Sequence, residues 1–157
     1  MIRFIAAIDS KQGVANNHGL PWQGKLPTEV AYFRSKTTNS TVLMGYNTYT
    51  EFTHPLSLRR NLVATHKTEQ LRAGFEKIQD ARKFLTNNKE DIWVIGGPKL
   101  FSQLLDMADE LYITQLDQSF NSTKFFPEFK HNFQKVSESP AHFENGISFR
   151  YQIWKAK

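Results

Sequence analysis

Apolar and polar positions sort this chain into strands and helices that alternate. Ile2 to Ile8 is almost continuously apolar, the pattern of a strand buried on both faces. The polar stretch from Asp9 to Gly19 holds Gly13, Asn16, Asn17 and Gly19 and reads as a mobile loop. A helix is predicted from about Pro27 to Lys36, since proline's fixed φ suits a first helical position. Thr41 to Met44 is a second strand, ended by Gly45, and a short helix through Thr48 to Phe52 follows. Asn61 to Thr65 and Phe75 to Ile78 read as strands, and Gln79 to Asn87 as a helix. Asp91 to Ile95 gives the strongest strand signal and stops at Gly96-Gly97. Pro98 then opens a helix with an apolar stripe at Leu100 or Phe101, Leu104, Leu105 and Ala108. Leu111 to Leu116 is another strand, and Ile147 to Trp154 alternates like one. Strands interleaved with helices predict a three-layer α/β domain with a largely parallel sheet. The helix-poor end adds an antiparallel hairpin.

Composition narrows the options. A chain of 157 residues fits one domain, 1–157, able to bury a proper core. No cysteine is present, which excludes a disulfide scaffold, a thiolate zinc site and a cysteine nucleophile, and fits a reducing compartment. The opening apolar run is too short for a signal peptide and no window approaches a membrane span, so a cytoplasmic protein is expected. The net charge of +5 is spread from Arg3 to Lys157. Such a diffuse field suits nucleotides and carboxylates as well as nucleic acid, and charge alone does not choose. Thirteen phenylalanines suit a core or a pocket lined by flat rings.

One acid stands out. Leu26, Glu29, Val30 and Phe33 share one helix face, so Glu29 interrupts an apolar stripe. It is read either as a third-position capping carboxylate or as an acid desolvated for chemistry. Ligands of such sheets sit beyond the carboxyl ends of the strands. That rule gathers the loop after Ile8, Gly45 to Thr48, Thr65-His66-Lys67, Gly96-Gly97 and Thr114 at one edge. Gly96-Gly97-Pro98 lets backbone approach a ligand closely and offers a helix start to a phosphate. Thr65-His66-Lys67 offers a hydroxyl, an imidazole and an ammonium, or is a plain polar loop. Arg59 and Arg60 are either a carboxylate clamp or a solvated edge. The five histidines show no ligand spacing, so no metal site is assigned.

Seven short motifs then fall in register. They are Ile5-Ala6-Ala7, Leu20-Pro21-Trp22, Leu26-Pro27-x-Glu29-x-Ala31-x-Phe33, Met44-Gly45-x-x-Thr48, Pro55-Leu56 with Arg59 and Asn61, Ile95-Gly96-Gly97, and Tyr112-Ile113-Thr114. In order and spacing they resemble dihydrofolate reductase over nearly the whole chain. The resemblance implies a central, mostly parallel eight-stranded sheet with an antiparallel C-terminal edge and about four flanking helices. It also implies NADPH as cofactor and reduction of dihydrofolate by a monomer that engages neither nucleic acid nor membrane.

Under that resemblance Glu29 would bind the pterin edge and help supply a proton, Trp22 would shape a water site, and Thr114 would hydrogen-bond the acid. Phe33, Phe52 and Leu56 would line the slot, with Ala6, Leu20 and Val30 beside them. Arg59 would hold the α-carboxylate of the glutamate tail, and Ile5 and Ile95 would offer backbone carbonyls. Ala7, Val14 and Leu20 would frame the nicotinamide, with His18 and Gly19 on the lid from Gly13 to Gln23. Gly96, Gly97, Pro98, Lys99, Leu100 and Phe101 would take the pyrophosphate. Gly45, Tyr46, Asn47, Thr48, Thr65, His66 and Lys67 would hold the rest of the cofactor.

Four departures from the family pattern stand out. Gly45-Tyr46 replaces Gly-Arg, which should weaken 2′-phosphate binding unless Lys67, His66 or Lys99 compensates. Val14-Ala15 replaces Ile-Gly, Gln23-Gly24-Lys25 lengthens the link from Trp22 to the helix, and Asn121-Ser122-Thr123 replaces an acidic Gly-Asp-Thr that could brace the lid. Two other readings stand beside the reductase. One is a phosphoribosylated-pyrimidine reductase of the same fold, and the other a non-catalytic basic module binding nucleotides or nucleic acid.

Overall fold

In chain order the computed structural model, which describes residues 1–157, begins with β1 (Ile2–Ile8), β2 (Gly13–Ala15), α1 (Pro27–Thr37), β3 (Thr41–Gly45) and α2 (Tyr46–Thr50). Next come β4 (Arg60–Ala64), β5 (Phe75–Ile78), α3 (Ala81–Asn87), β6 (Ile92–Gly96) and α4 (Pro98–Leu104), the last extended by a 3₁₀ turn, Leu105–Met107. The chain ends with β7 (Glu110–Leu116), β8 (Lys124–Phe125), β9 (Phe133–Glu138), β10 (His142–Glu144) and β11 (Ile147–Ala156).

Successive strand residues point to opposite faces, so each central strand feeds two cores. Phe4, Leu43, Leu62 and Val94 pack on one face with Leu85 of α3 and Leu100, Phe101 and Leu104 of α4. Ile5, Val42, Met44, Val63 and Trp93 pack on the other, with Tyr49 of α2 and the half-buried Tyr32 and Phe33 of α1. Covered on both faces, these strands can be apolar throughout, and the result is three layers. The sheet path is β10-β11-β7-β1-β6-β3-β4-β5, eight strands, with β9 added beside β11. Every pair from β7 to β5 is parallel, and β11 meets β7, β9 and β10 antiparallel. Trp22, Leu26, Leu116, Ile147 and Phe149 form a third cluster at the antiparallel edge.

Two helix starts and one loop differ from the periodicity. α3 starts at Ala81 rather than Gln79, because the Asp80 side chain accepts from Lys83 N at 3.0 Å and caps the helix there. α2 starts at Tyr46, directly after an extended Gly45. Asp9 to Gly19 is not wholly irregular, since β2 pairs with β8 in a two-stranded ribbon. A three-residue strand held by a partner over a hundred residues away leaves no periodic trace. No helix is long and apolar enough to cross a membrane.

Candidate active site

The parallel strands place the ends of β1, β3, β4, β5 and β6 at one edge, and a cavity of about 1890 Å³ opens there. A single small-molecule pocket is typically ~300–1,000 Å³, so two ligands can lie side by side.

Glu29 sits in the first turn of α1, facing this cavity. Its carboxyl accepts a hydrogen bond from Thr114 Oγ1 of β7 at 3.3 Å. Burial pushes its pKa above the ordinary carboxyl value, and the Thr114 bond pulls back only in part. The helix-capping role that the spacing allowed is filled from elsewhere: Thr28 N donates to Glu144 Oε1 at 3.0 Å. Leu26 is buried, whereas Val30 is half exposed and Phe33 half-buried. The stripe that reads as a core face in sequence is therefore a cavity wall. Trp22, 2% exposed, carries a buried indole N–H with no protein acceptor. Such a donor calls for a ligand or solvent oxygen. The Gln23-Gly24-Lys25 insertion folds as a tight turn, with Lys25 N on Trp22 O at 3.0 Å and Gly24 at φ 79°.

Opposite the acid, Gly45, Gly96 and Gly97 present bare backbone to the cavity. The Gly96–Gly97 peptide is cis and Gly96 has φ 135°. A Cβ on Gly96 or Gly97 would stand 3.3 Å from Thr48 Oγ1, so side chains there would fill the cradle. With α4 starting at Pro98, this edge fits the phosphates of a dinucleotide. Tyr46, where the family pattern has arginine, donates to the Glu69 carboxylate, and Lys67 Nζ lies 4.7 Å over its ring. The Glu69 bond pushes the Tyr46 phenol pKa up, so the hydroxyl stays a neutral donor. At the other end, Arg59 Nη1 donates to Thr37 Oγ1 and Nε to Ser57 O, both at 2.9 Å. Burial, with Arg34 nearby, lowers its pKa, and no carboxylate of the protein lies within ion-pair distance.

Behind the segment from Gly13 to Gln23, directly after β1, stands Asp9, which by sequence alone reads as the start of a mobile loop. Asp9, 1% exposed, accepts four hydrogen bonds. Lys11 N and Gly13 N reach Oδ1 at 2.8 Å, while Ser122 Oγ at 2.8 Å and Phe120 N at 3.3 Å reach Oδ2. A Cβ on Gly13 would collide with Ser122 and Asp9. The brace that an acid at 121–123 could have provided therefore comes from the end of β1, with Ser122 as donor. Ala15 lies extended in β2, so the glycine absent there is not missed by this conformation.

The cavity is lined by every residue given a site role under the resemblance except His18 and Thr114, whereas Arg60, the other half of the possible carboxylate clamp, lies outside it in an ion pair with Glu76. His18 is exposed, its backbone N–H bound to Asn16 Oδ1, and Thr114 acts from behind Glu29. Sequence reasoning missed Gln79 to Arg82, which line the cavity just past β5. The strand-end rule extends to them once Phe75 to Ile78 is taken as a parallel strand. Arg34, Glu51 and Lys124-Phe125 carry no comparable signal, because only tertiary packing brings them to the wall.

Taken together, fold and site define a small α/β protein built to hold a dinucleotide against a second, flat ligand beside a half-buried acid. A family model described as dihydrofolate reductase matches residues 1–156. Dihydrofolate reductase of Bacillus subtilis (strain 168) is 32% identical over 156 residues, covering 98% of this chain and 92% of that protein. Dihydrofolate reductase of Buchnera aphidicola subsp. Schizaphis graminum (strain Sg) is 31% identical over 159 residues, covering 97% of each. A solved structure of dihydrofolate reductase from Enterococcus faecalis, complexed with NADP(H) and RAB-propyl, matches in fold. Its TM-score is 0.90 at 24% identity, covering 100% of this chain and 96% of that one. The chain belongs to the dihydrofolate reductase family. Neither the pyrimidine reductase nor the non-catalytic binding module is favoured by these matches.

Proposed function

We propose that this protein reduces 7,8-dihydrofolate to 5,6,7,8-tetrahydrofolate in a single domain spanning 1–157. Gly45, Gly96 and Gly97 would hold NADPH at the cradle, where it would supply the hydride for C6, and a proton would be added at N5. One observation carries the reading: a half-buried carboxyl whose pKa is raised by desolvation, Glu29, faces an apolar slot that runs into a glycine-lined cradle. Burial favours the neutral acid, so Glu29 can hold a proton nearer neutrality than an ordinary carboxyl and pass it on through solvent. Thr114 hydrogen-bonds the carboxyl, and the unsatisfied N–H of Trp22, which lines the same cavity, would hold the relaying oxygen.

The other residues bind and exclude water. Phe33, Phe52 and Leu56, with Ala6, Leu20 and Val30, would clasp the flat rings, while Ile5 and Ile95 offer backbone carbonyls. Arg59 keeps donors free for the α-carboxylate of the tail, and Arg34 adds a second positive charge at that mouth. Ala7, Val14, Gly19 and Leu20 would frame the nicotinamide beneath the lid, with His18 at its outer rim. Gly96 to Phe101 would hold the pyrophosphate, and Gly45 to Thr48 with Thr65 to Lys67 the adenosine end. The lid from Gly13 to Gln23 would shield the reacting atoms from bulk water.

We further propose a cytoplasmic monomer whose positive field draws in small anions rather than nucleic acid. Arg3, Arg60, Arg82, Lys135 and Lys155 are spent in ion pairs, which fits that restriction. The direct test follows NADPH oxidation with dihydrofolate as the only acceptor. Turnover is expected, and none at micromolar enzyme would overturn the proposal.

A further inference from the structure

α1 carries Glu29, yet little apolar burial holds it. Within the helix only Thr37 is fully buried, and Pro27, Thr28, Val30 and Ala31 in its first turns are exposed. Leu26 at the N-cap has no side-chain acceptor and Pro27 has no N–H, so Thr28 N is the first backbone donor needing a partner. That partner comes from the far end of the chain. Glu144, at the end of β10, accepts from Thr28 N at 3.0 Å with Oε1 and from Thr28 Oγ1 at 2.5 Å with Oε2. Its neighbour Asn145 donates to Lys25 O at 2.7 Å, in the inserted turn that joins Trp22 to α1. Asn145 and Gly146, at φ 51° and 78°, reverse the chain sharply enough for adjacent residues to grip the same helix start.

We infer that Glu144 is a positioning residue for the Glu29 carboxyl, holding the helix start from the β10–β11 hairpin while Thr114 holds the side chain. This rests on Glu29 being the route of the proton. The two holds share one frame, because Thr114 on β7 stands directly opposite Tyr151 on β11. Tyr151 in turn stacks on Tyr32 with ring centroids 3.9 Å apart and donates to Thr28 O at 3.4 Å. Thr28 and Glu29 are thus fastened to paired strands on both sides. The Thr114 bond is already long at 3.3 Å, so a small shift of the helix start breaks it. Misplacement of a reacting group by an ångström can cost up to ~10²-fold in rate. The titratable groups facing Glu29 are Tyr32 on its own helix and Tyr151 on β11, both pushed up to about 12 by burial and neutral at working pH.

Two variants separate positioning from plain stability: Glu144→Ala, and Glu144→Gln, whose amide oxygen still accepts from Thr28 N. Wild-type turnover of dihydrofolate judges the proposed function by itself, and the variants are read as ratios to it. Glu144→Ala should lower the single-turnover hydride-transfer rate about tenfold at neutral pH with the KM for NADPH unchanged. Glu144→Gln should restore most of that rate, and the deficit should shrink at low pH, where substrate arrives already protonated. Amide exchange at Thr28 should rise in Glu144→Ala whether or not any substrate is turned over. A Glu144→Ala enzyme with lost Thr28 protection but wild-type rate would overturn the inference, as would unchanged protection.

Discussion

Changing Asp9 to asparagine tests how firmly the lid is anchored. The carboxylate is 1% exposed and shares four donors between two oxygens. An asparagine has one acceptor oxygen. If it faces Lys11 N and Gly13 N, its amide opposes Phe120 N–H, and the reverse orientation opposes two backbone N–H groups. A hydrogen bond to a charged group contributes about 1.5–3 kcal/mol net, and a stranded donor adds its own cost, so Asp9→Asn should lose about 2–4 kcal/mol. For a chain of this size that is a fall in Tm of roughly 5–15 °C. Burial pushes the Asp9 pKa up, but the bonds from Gly13, Lys11, Ser122 and Phe120 outweigh it, and the net shift is downward from 3.8. A depressed acid contributes its full stabilisation above its ordinary value and loses it as the pH falls through the folded one. The gap between wild type and Asp9→Asn should therefore be flat above about pH 5 and close in more acidic solution. Urea unfolding at several pH values reads both effects. Equal stability at neutral pH, or a gap that widens with acid, would refute the reasoning.

Arg59→Lys keeps the charge but loses the planar fork, and should raise the KM for dihydrofolate roughly tenfold with kcat little changed, read by steady-state kinetics. Tyr46→Arg should raise the NADPH-over-NADH ratio of kcat/KM by roughly tenfold, because it returns a guanidinium to the adenosine end. An unchanged ratio would show that Lys67 and its neighbours already supply that charge. Gly96→Ala forces a Cβ into φ 135° and toward Thr48, which should cost about 1–3 kcal/mol of stability and weaken NADPH binding in titrations.

Much of this molecule is visible in its sequence where local chemistry decides. Ile2 to Ile8, Ile92 to Gly96 and the Pro27 and Pro98 helix starts follow from apolar runs and proline geometry. Glu29 announces itself as an acid on an apolar stripe, and Gly96-Gly97 as backbone meant to approach a ligand. What periodicity hides is set by distant partners. Asp9 looks like any loop-starting aspartate until Phe120 and Ser122 close on it. Glu144 lies in a turn-rich tail, and nothing at its position points 116 residues back to Thr28. The β2–β8 ribbon is equally silent, because strands of three and two residues carry no period.

The central claim, that Glu29 governs delivery of the proton, is most directly tested by the single-turnover rate of hydride transfer in Glu29→Ala across pH. General acid catalysis typically contributes ~10²–10⁴-fold, so the variant should fall by about that factor at neutral pH and recover partly as the pH drops. A Glu29→Ala enzyme that keeps the full wild-type rate at neutral pH would contradict it.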